Sequence, residues 1–97
     1  MQSKADILNK LKQFKAAYAS LYGIRTIGIF GSFARNQQNE QSDLDVVVTL
    51  NEADFFTLEH IREELERLFH LNIDIVHFRP TLRHSFIENI ERDVIYV

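Results

Sequence analysis

Three consecutive valines, Val46-Val47-Val48, constrain this chain more than any other stretch. A strand sends alternate side chains to opposite faces. An unbroken β-branched run is therefore apolar on both faces and calls for burial on both. The strand is opened by Asp43-Leu44-Asp45. Carboxylates two residues apart on a strand share a face, with their backbones about 7 Å apart. Without a cation they repel, and one pKa rises. A hard divalent ion removes that penalty, and Mg²⁺ takes oxygen ligands together with substrate phosphates. The pair is placed where the strand begins, at an edge of the sheet and near solvent.

Upstream, Ile24–Phe30 is β-branched and apolar and reads as a strand. Phe33-Ala34-Arg35 favours a short helix, so Gly31 and Ser32 fall at a strand-to-helix turn. Glycine there lets the backbone approach a ligand, and the free N–H groups of a helix start attract phosphate. The Ser32 hydroxyl can bond a phosphate oxygen. Downstream, Leu71–Phe78 reads as a further strand with Asp74 between Ile73 and Ile75. A lone acid is costly to bury in such a place, and sharing cations with Asp43 and Asp45 would relieve it. The plainer readings are a turn for Gly31-Ser32, a cap for Asp43, an ion-paired buried acid for Asp74 and a surface arginine for Arg35. The order and spacing of the pieces favour the phosphate and metal reading.

Gly31-Ser32-Phe33-Ala34-Arg35, followed by Ser42-Asp43-Leu44-Asp45, resembles the G-S-x-A-R…S-D-x-D signature of polymerase-β-like nucleotidyltransferases. The short chain resembles the minimal (MNT) branch, and the likeness runs from the first helix to the last strand. The resemblance implies an α/β (α+β) fold, a mixed sheet of about four strands with helices mainly on one side. It implies catalysis and metal binding by Asp43, Asp45 and Asp74, with about two Mg²⁺ ions, and nucleotide binding by Gly31, Ser32 and Arg35, with ATP as substrate. It also implies an antitoxin that transfers AMP to a tyrosine hydroxyl of a HEPN toxin partner. The glycine usual after the arginine is Asn36 here, and asparagine tolerates the left-handed region.

The remaining pattern is α-β-α-β-α-β-α-β. Ser3–Tyr22 is a helix with Ile7, Leu11, Phe14, Tyr18 and Leu21 on one face and Leu8 beside them. Ser3 with Asp6 resembles a capping box, and Gly23 is a stop. Asn36–Gln41 is a polar loop, Asp43–Leu50 the second strand, and Asn51–Asp54 a capping segment. Phe55–His70 is a helix with Phe55, Leu58, Ile61, Leu65 and Leu68 inward, and pairs such as Glu63–Arg67 outward. It crosses between two strands as a parallel pair requires. Asn72–Phe78 is the third strand. Pro80 suits the first turn of a helix reaching about Arg92, with Leu82, Phe86, Ile87 and Ile90 inward. Val94–Val97 forms a short last strand.

Residues 1–97 are expected to form one domain. A net charge of -3 with pI near 5.7 argues against a broad nucleic-acid groove. With no cysteine, disulfides and thiolate zinc sites are excluded. The four histidines lack zinc spacing, and Lys10, Lys12 and Lys15 read as a solvated face. No apolar run approaches ~18 residues, and the polar Met1–Lys4 begins no signal peptide, so a cytoplasmic protein is expected. A homo- or hetero-oligomer is compatible with the pattern. The competing functions are a non-catalytic module that neutralises its partner by occlusion, and a nucleotidyltransferase acting on a small molecule.

Overall fold

The computed structural model describes residues 2–97. Met1, the first residue of the polar start in which no signal peptide is read, lies outside the described residues. The elements run α1 (Lys4–Tyr22), β1 (Ile24–Phe30), α2 (Gly31–Ala34), β2 (Leu44–Leu50), α3 (Phe55–Phe69), β3 (Ile73–His77), α4 (His84–Asp93) and β4 (Ile95–Tyr96). The strands form one mixed sheet in the order β3-β2-β1-β4. β1 is antiparallel to β2 and β4, and β2 is parallel to β3 through the α3 crossover.

Local chemistry sets the ends of α1. The Ser3 side chain accepts from the Asp6 N–H at 3.1 Å. At the other end Gly23 turns left-handed, with φ 68°. Ile7, Leu11 and Phe14 are buried, but Leu21 is 71% exposed rather than inward. A seven-residue repeat drifts by ~20° per heptad on a straight helix, so by its last turn the stripe has rotated off the sheet.

Val46, Val47 and Val48 are all fully buried. Leu44, Val46 and Val48 join Ile27 and Ile29 beneath α1 and α3, against Ile7, Leu11, Ile61 and Leu65. On the opposite face Val47 packs with Phe30 and Ile90, and α4 adds Phe86. The two long helices thus share one face, and the short α4 covers part of the other. That partial cover leaves room for the site. β2 is an inner strand, so the Asp43-x-Asp45 pair stands at a strand's end and not at the sheet's edge, which β3 forms.

α3 starts at Phe55 as the sequence pattern expects, and several other details differ from that pattern for local reasons. Asp54 caps α3, accepting from the Phe56 N–H and the Thr57 hydroxyl. Phe55 is therefore the first helical residue, overhanging the sheet at 68% exposure rather than facing inward. Arg67 pairs with Glu64 instead of Glu63, and Arg62 bridges Glu59 and Glu66. Residues three and four apart are both neighbours on a helix, so spacing does not choose between them. His70 ends α3 in the left-handed region, φ 55°. Pro80 lies in a turn closed by the Leu82 N–H on the Arg79 carbonyl, at 3.2 Å, and not in a helix. Proline's fixed φ suits the second position of such a turn, and α4 starts only at His84. Among the described residues, no helix is long and apolar enough to cross a membrane.

Candidate active site

β1 and β2 are registered so that Phe30, the last residue of β1, faces Asp45. The parallel register of β2 and β3 sets Asp45 directly beside Asp74. Strand alternation then puts both carboxylates on the α4 face, level with one another. They line a groove of about 490 Å³ whose other walls include Phe30, Val76 and Phe86. A larger cavity, about 580 Å³, lies elsewhere, against Gln2, Lys10 and Phe69, and contains none of these acids.

Asp45 is half-buried, whereas Asp43 and Asp74 are exposed. Asp74 escapes the expected burial because β3 is the sheet edge, and the cost of desolvation falls on Asp45 instead. Burial, then the charge of Asp74, then that of Asp43, raise the Asp45 pKa from 3.8 to about 6. A side-chain hydrogen bond with Asp74 acts the same way, and Arg35 opposes the rise. Asp43 lies one residue outside β2. The ladder begins where the Leu44 N–H bonds the Asn72 carbonyl at 2.9 Å, which leaves Asp43 in the preceding loop.

Among the described residues, no three His, Cys, Asp or Glu side chains already stand together as a metal-binding group. The donors nevertheless suit a hard cation. They are all oxygens, and a cation among them would offset the burial and the neighbouring acidic charges that raise the Asp45 pKa.

Gly31 belongs to this site for a steric reason. Its φ is +72°, and a Cβ there would collide with Asp45 Oδ2. The glycine backbone therefore forms the floor on which the carboxylate rests. α2 starts at Gly31 itself, so Gly31 and Ser32 form its first turn rather than a bend ahead of it. Ser32 remains partly open to solvent next to this floor. Arg35 is committed within the chain. Its Nη1 donates to Asp93 Oδ2 at 2.6 Å and its Nε to Gln37 Oε1 at 3.0 Å. Asn36 takes the left-handed conformation, φ 58°, so the turn survives the loss of glycine.

Sequence reasoning missed Asp93 as the partner of Arg35, 58 residues away. It also missed Phe30 and Phe86 as groove walls, with rings edge-on and centroids 6.1 Å apart. Both phenylalanines stand in apolar patterns that look like plain core.

A mixed four-stranded sheet with paired strand carboxylates beside a glycine-serine turn defines a nucleotidyltransferase scaffold. The sequence profile of the family Polymerase beta, Nucleotidyltransferase matches residues 6–97, and the chain belongs to that family, in its minimal branch. Over its whole length it is 31% identical to the protein adenylyltransferase MntA of Thermococcus cleftensis, covering 98% of that protein. It is 32% identical, over the full length of both chains, to a Methanocaldococcus jannaschii protein to which protein adenylyltransferase activity is ascribed. Its fold is similar to that of a chain in a toxin–antitoxin crystal structure with AMP-PNP. That match has a TM-score of 0.74 and 18% identity, over 91% of this chain and 69% of the other. It is also similar to a chain in the complex of a tri-AMPylated Shewanella oneidensis HEPN toxin with its MNT antitoxin. There the TM-score is 0.64 and the identity 18%, over 92% and 68% of the two chains.

Proposed function

We propose that this chain transfers AMP from ATP to a tyrosine hydroxyl of a HEPN toxin and so neutralises it as an antitoxin. The observation that carries the reading is the pairing of Asp45 with Asp74 in one groove, resting on the Gly31 backbone and within the field of Asp43. Likeness to a protein adenylyltransferase, and to chains in a toxin–antitoxin structure with AMP-PNP and in a complex with a tri-AMPylated HEPN toxin, supports the acceptor class and the nucleotide.

In the reaction, the hydroxyl oxygen bonds to the α-phosphorus, the bridge to the β-phosphate breaks, and pyrophosphate leaves. Asp43 and Asp45 would hold two Mg²⁺ ions, and Asp74 would share one of them. When bound, these ions neutralise phosphate charge and make the attacking hydroxyl more acidic. Gly31 offers its backbone, and Ser32 its hydroxyl, to the β- and γ-phosphates. Asp74, exposed at the sheet edge, accepts the proton of the incoming hydroxyl. Arg35, held by Asp93, secures the end of the α2 turn against α4. Much of the rate then comes from placing two reactants together.

The test combines the purified chain with ATP labelled at the α-phosphate, Mg²⁺ and the protein encoded beside it. Label should appear on a tyrosine of that protein, and Asp43→Asn or Asp45→Asn should abolish it. Full protection of cells by an Asp43→Ala/Asp45→Ala variant would instead assign neutralisation to occlusion.

A further inference from the structure

The groove that holds the carboxylates runs along an unpaired strand edge. Four successive residues of β3, Ile73 to Val76, line it. β3 pairs only with β2, and its other side is the margin of the sheet. The ladder fixes which backbone groups face outward. The Leu44 N–H bonds the Asn72 carbonyl, and the Phe78 N–H bonds the Val48 carbonyl, both at 2.9 Å. In a parallel pair the even-numbered residues of β3 therefore turn their backbone towards β2, and the odd-numbered ones turn theirs away. The His77 carbonyl accepts from Arg79 Nη1 at 3.4 Å. Among the described residues, none bonds the N–H or C=O of Ile73 or Ile75.

We propose that the acceptor protein docks an extended segment on this edge, as a fifth strand bonded to the outward N–H and C=O of the partly exposed Ile75, since Ile73 is only 4% exposed. The idea rests on the protein-transfer reading above and states how the hydroxyl reaches the acids. An added strand lies ~4.8 Å from β3, and a residue level with Asp74 shares Asp74's face. Its hydroxyl then points along the groove towards Asp74 and Asp45. To cross the width of β3 the side chain must be long, which favours tyrosine over serine. Phe86 and Phe30 supply an aromatic wall for its ring.

Charge narrows the segment further. Among the described residues, the groove's one cationic side chain is Arg62, already bonded to Glu59 and Glu66. The segment therefore carries no acid beside the tyrosine. Main-chain pairing gives such docking its affinity and alternate side chains its selectivity. The edge is short and carries the charged Asp74, features that discourage pairing between copies of this chain.

Amide hydrogen exchange of the labelled chain in complex with the protein encoded beside it tests this without depending on turnover. The Ile75 amide should exchange roughly tenfold more slowly in the complex, while Val76, already turned towards β2, should change little. Unchanged exchange at Ile75 in a saturated complex would overturn the docking mode, whether or not AMP is transferred. Protection at Ile75 without any AMP transfer would keep the docking and sink the transfer reading. As a second arm, Ile75→Pro removes the outward donor at an edge position, and Ile75→Val keeps it. The proline variant should lose transfer roughly tenfold or more with unchanged AMP-PNP affinity, and the valine variant should retain it. Full transfer by a folded proline variant would also overturn the proposal. If that variant does not fold, the exchange measurement on the unaltered chain decides.

Discussion

Replacing Asp45 by Asn should stabilise the metal-free protein, although it removes a carboxylate proposed to be catalytic. The rise of the Asp45 pKa from 3.8 to about 6 is worth at most ~3 kcal/mol. The side chain is only half-buried, and solvent screening reduces this to ~1–2 kcal/mol. The sign follows from linkage. The folded state holds the proton more tightly than the unfolded chain, so the favourable contribution is complete below about pH 4. It is lost as the pH rises towards 6 and stays lost above that. The substituted amide carries no charge at any pH. The two proteins should therefore match in stability near pH 4 and diverge to the full difference by pH 8. For a chain of this size that corresponds to a Tm gain of roughly 4–12 °C at pH 8. Urea unfolding in EDTA across this pH range gives the free energies. A variant no more stable than wild type at pH 8, or a difference constant with pH, would refute the electrostatic reasoning.

Other perturbations test neighbouring parts. Millimolar Mg²⁺ with AMP-PNP should raise the Tm of the wild type at pH 8 and should do much less for Asp45→Asn; equal shifts would place the ions elsewhere. Gly31→Ala should cost ~2 kcal/mol or more, because φ is +72° and the new Cβ strikes Asp45; it should also abolish label transfer. Leu65→Ala empties a fully buried position in the core beneath the sheet and should cost ~2–5 kcal/mol by urea unfolding while leaving the carboxylates in place. Gly28→Ala would bring a Cβ to 2.6 Å from the Ile95 carbonyl. It should push β4 away from β1, visible as faster exchange of the Val97 amide, which bonds Ile27 at 3.1 Å.

The parts of the fold that were legible in the sequence are those fixed by near neighbours. The limits of β1 follow from Gly23 and Gly31, and the two-sided burial of β2 follows from its valines. The crossover of α3 was legible because a parallel pair needs one. What sequence could not fix was strand order. The accessibility of Asp74 depends on β3 being the edge, and neither Ile73 nor Ile75 carries that information. The same gap hid the partner of Arg35, since Asp93 ends a helix whose packing is set by the opposite sheet face. Gly31-Ser32 and Asp43-x-Asp45 could be singled out together because both flank apolar runs. Why they need one another emerged only from the steric contact between Gly31 and Asp45.

The most direct test is the intact mass of the partner protein after incubation with ATP, Mg²⁺ and this chain. Wild type should add the mass of AMP to a tyrosine, and Asp43→Asn, Asp45→Asn and Asp74→Asn should each add none. An unmodified partner with wild type, or modification that persists with the Asp45→Asn variant, would contradict the assignment of these acids as the catalytic centre.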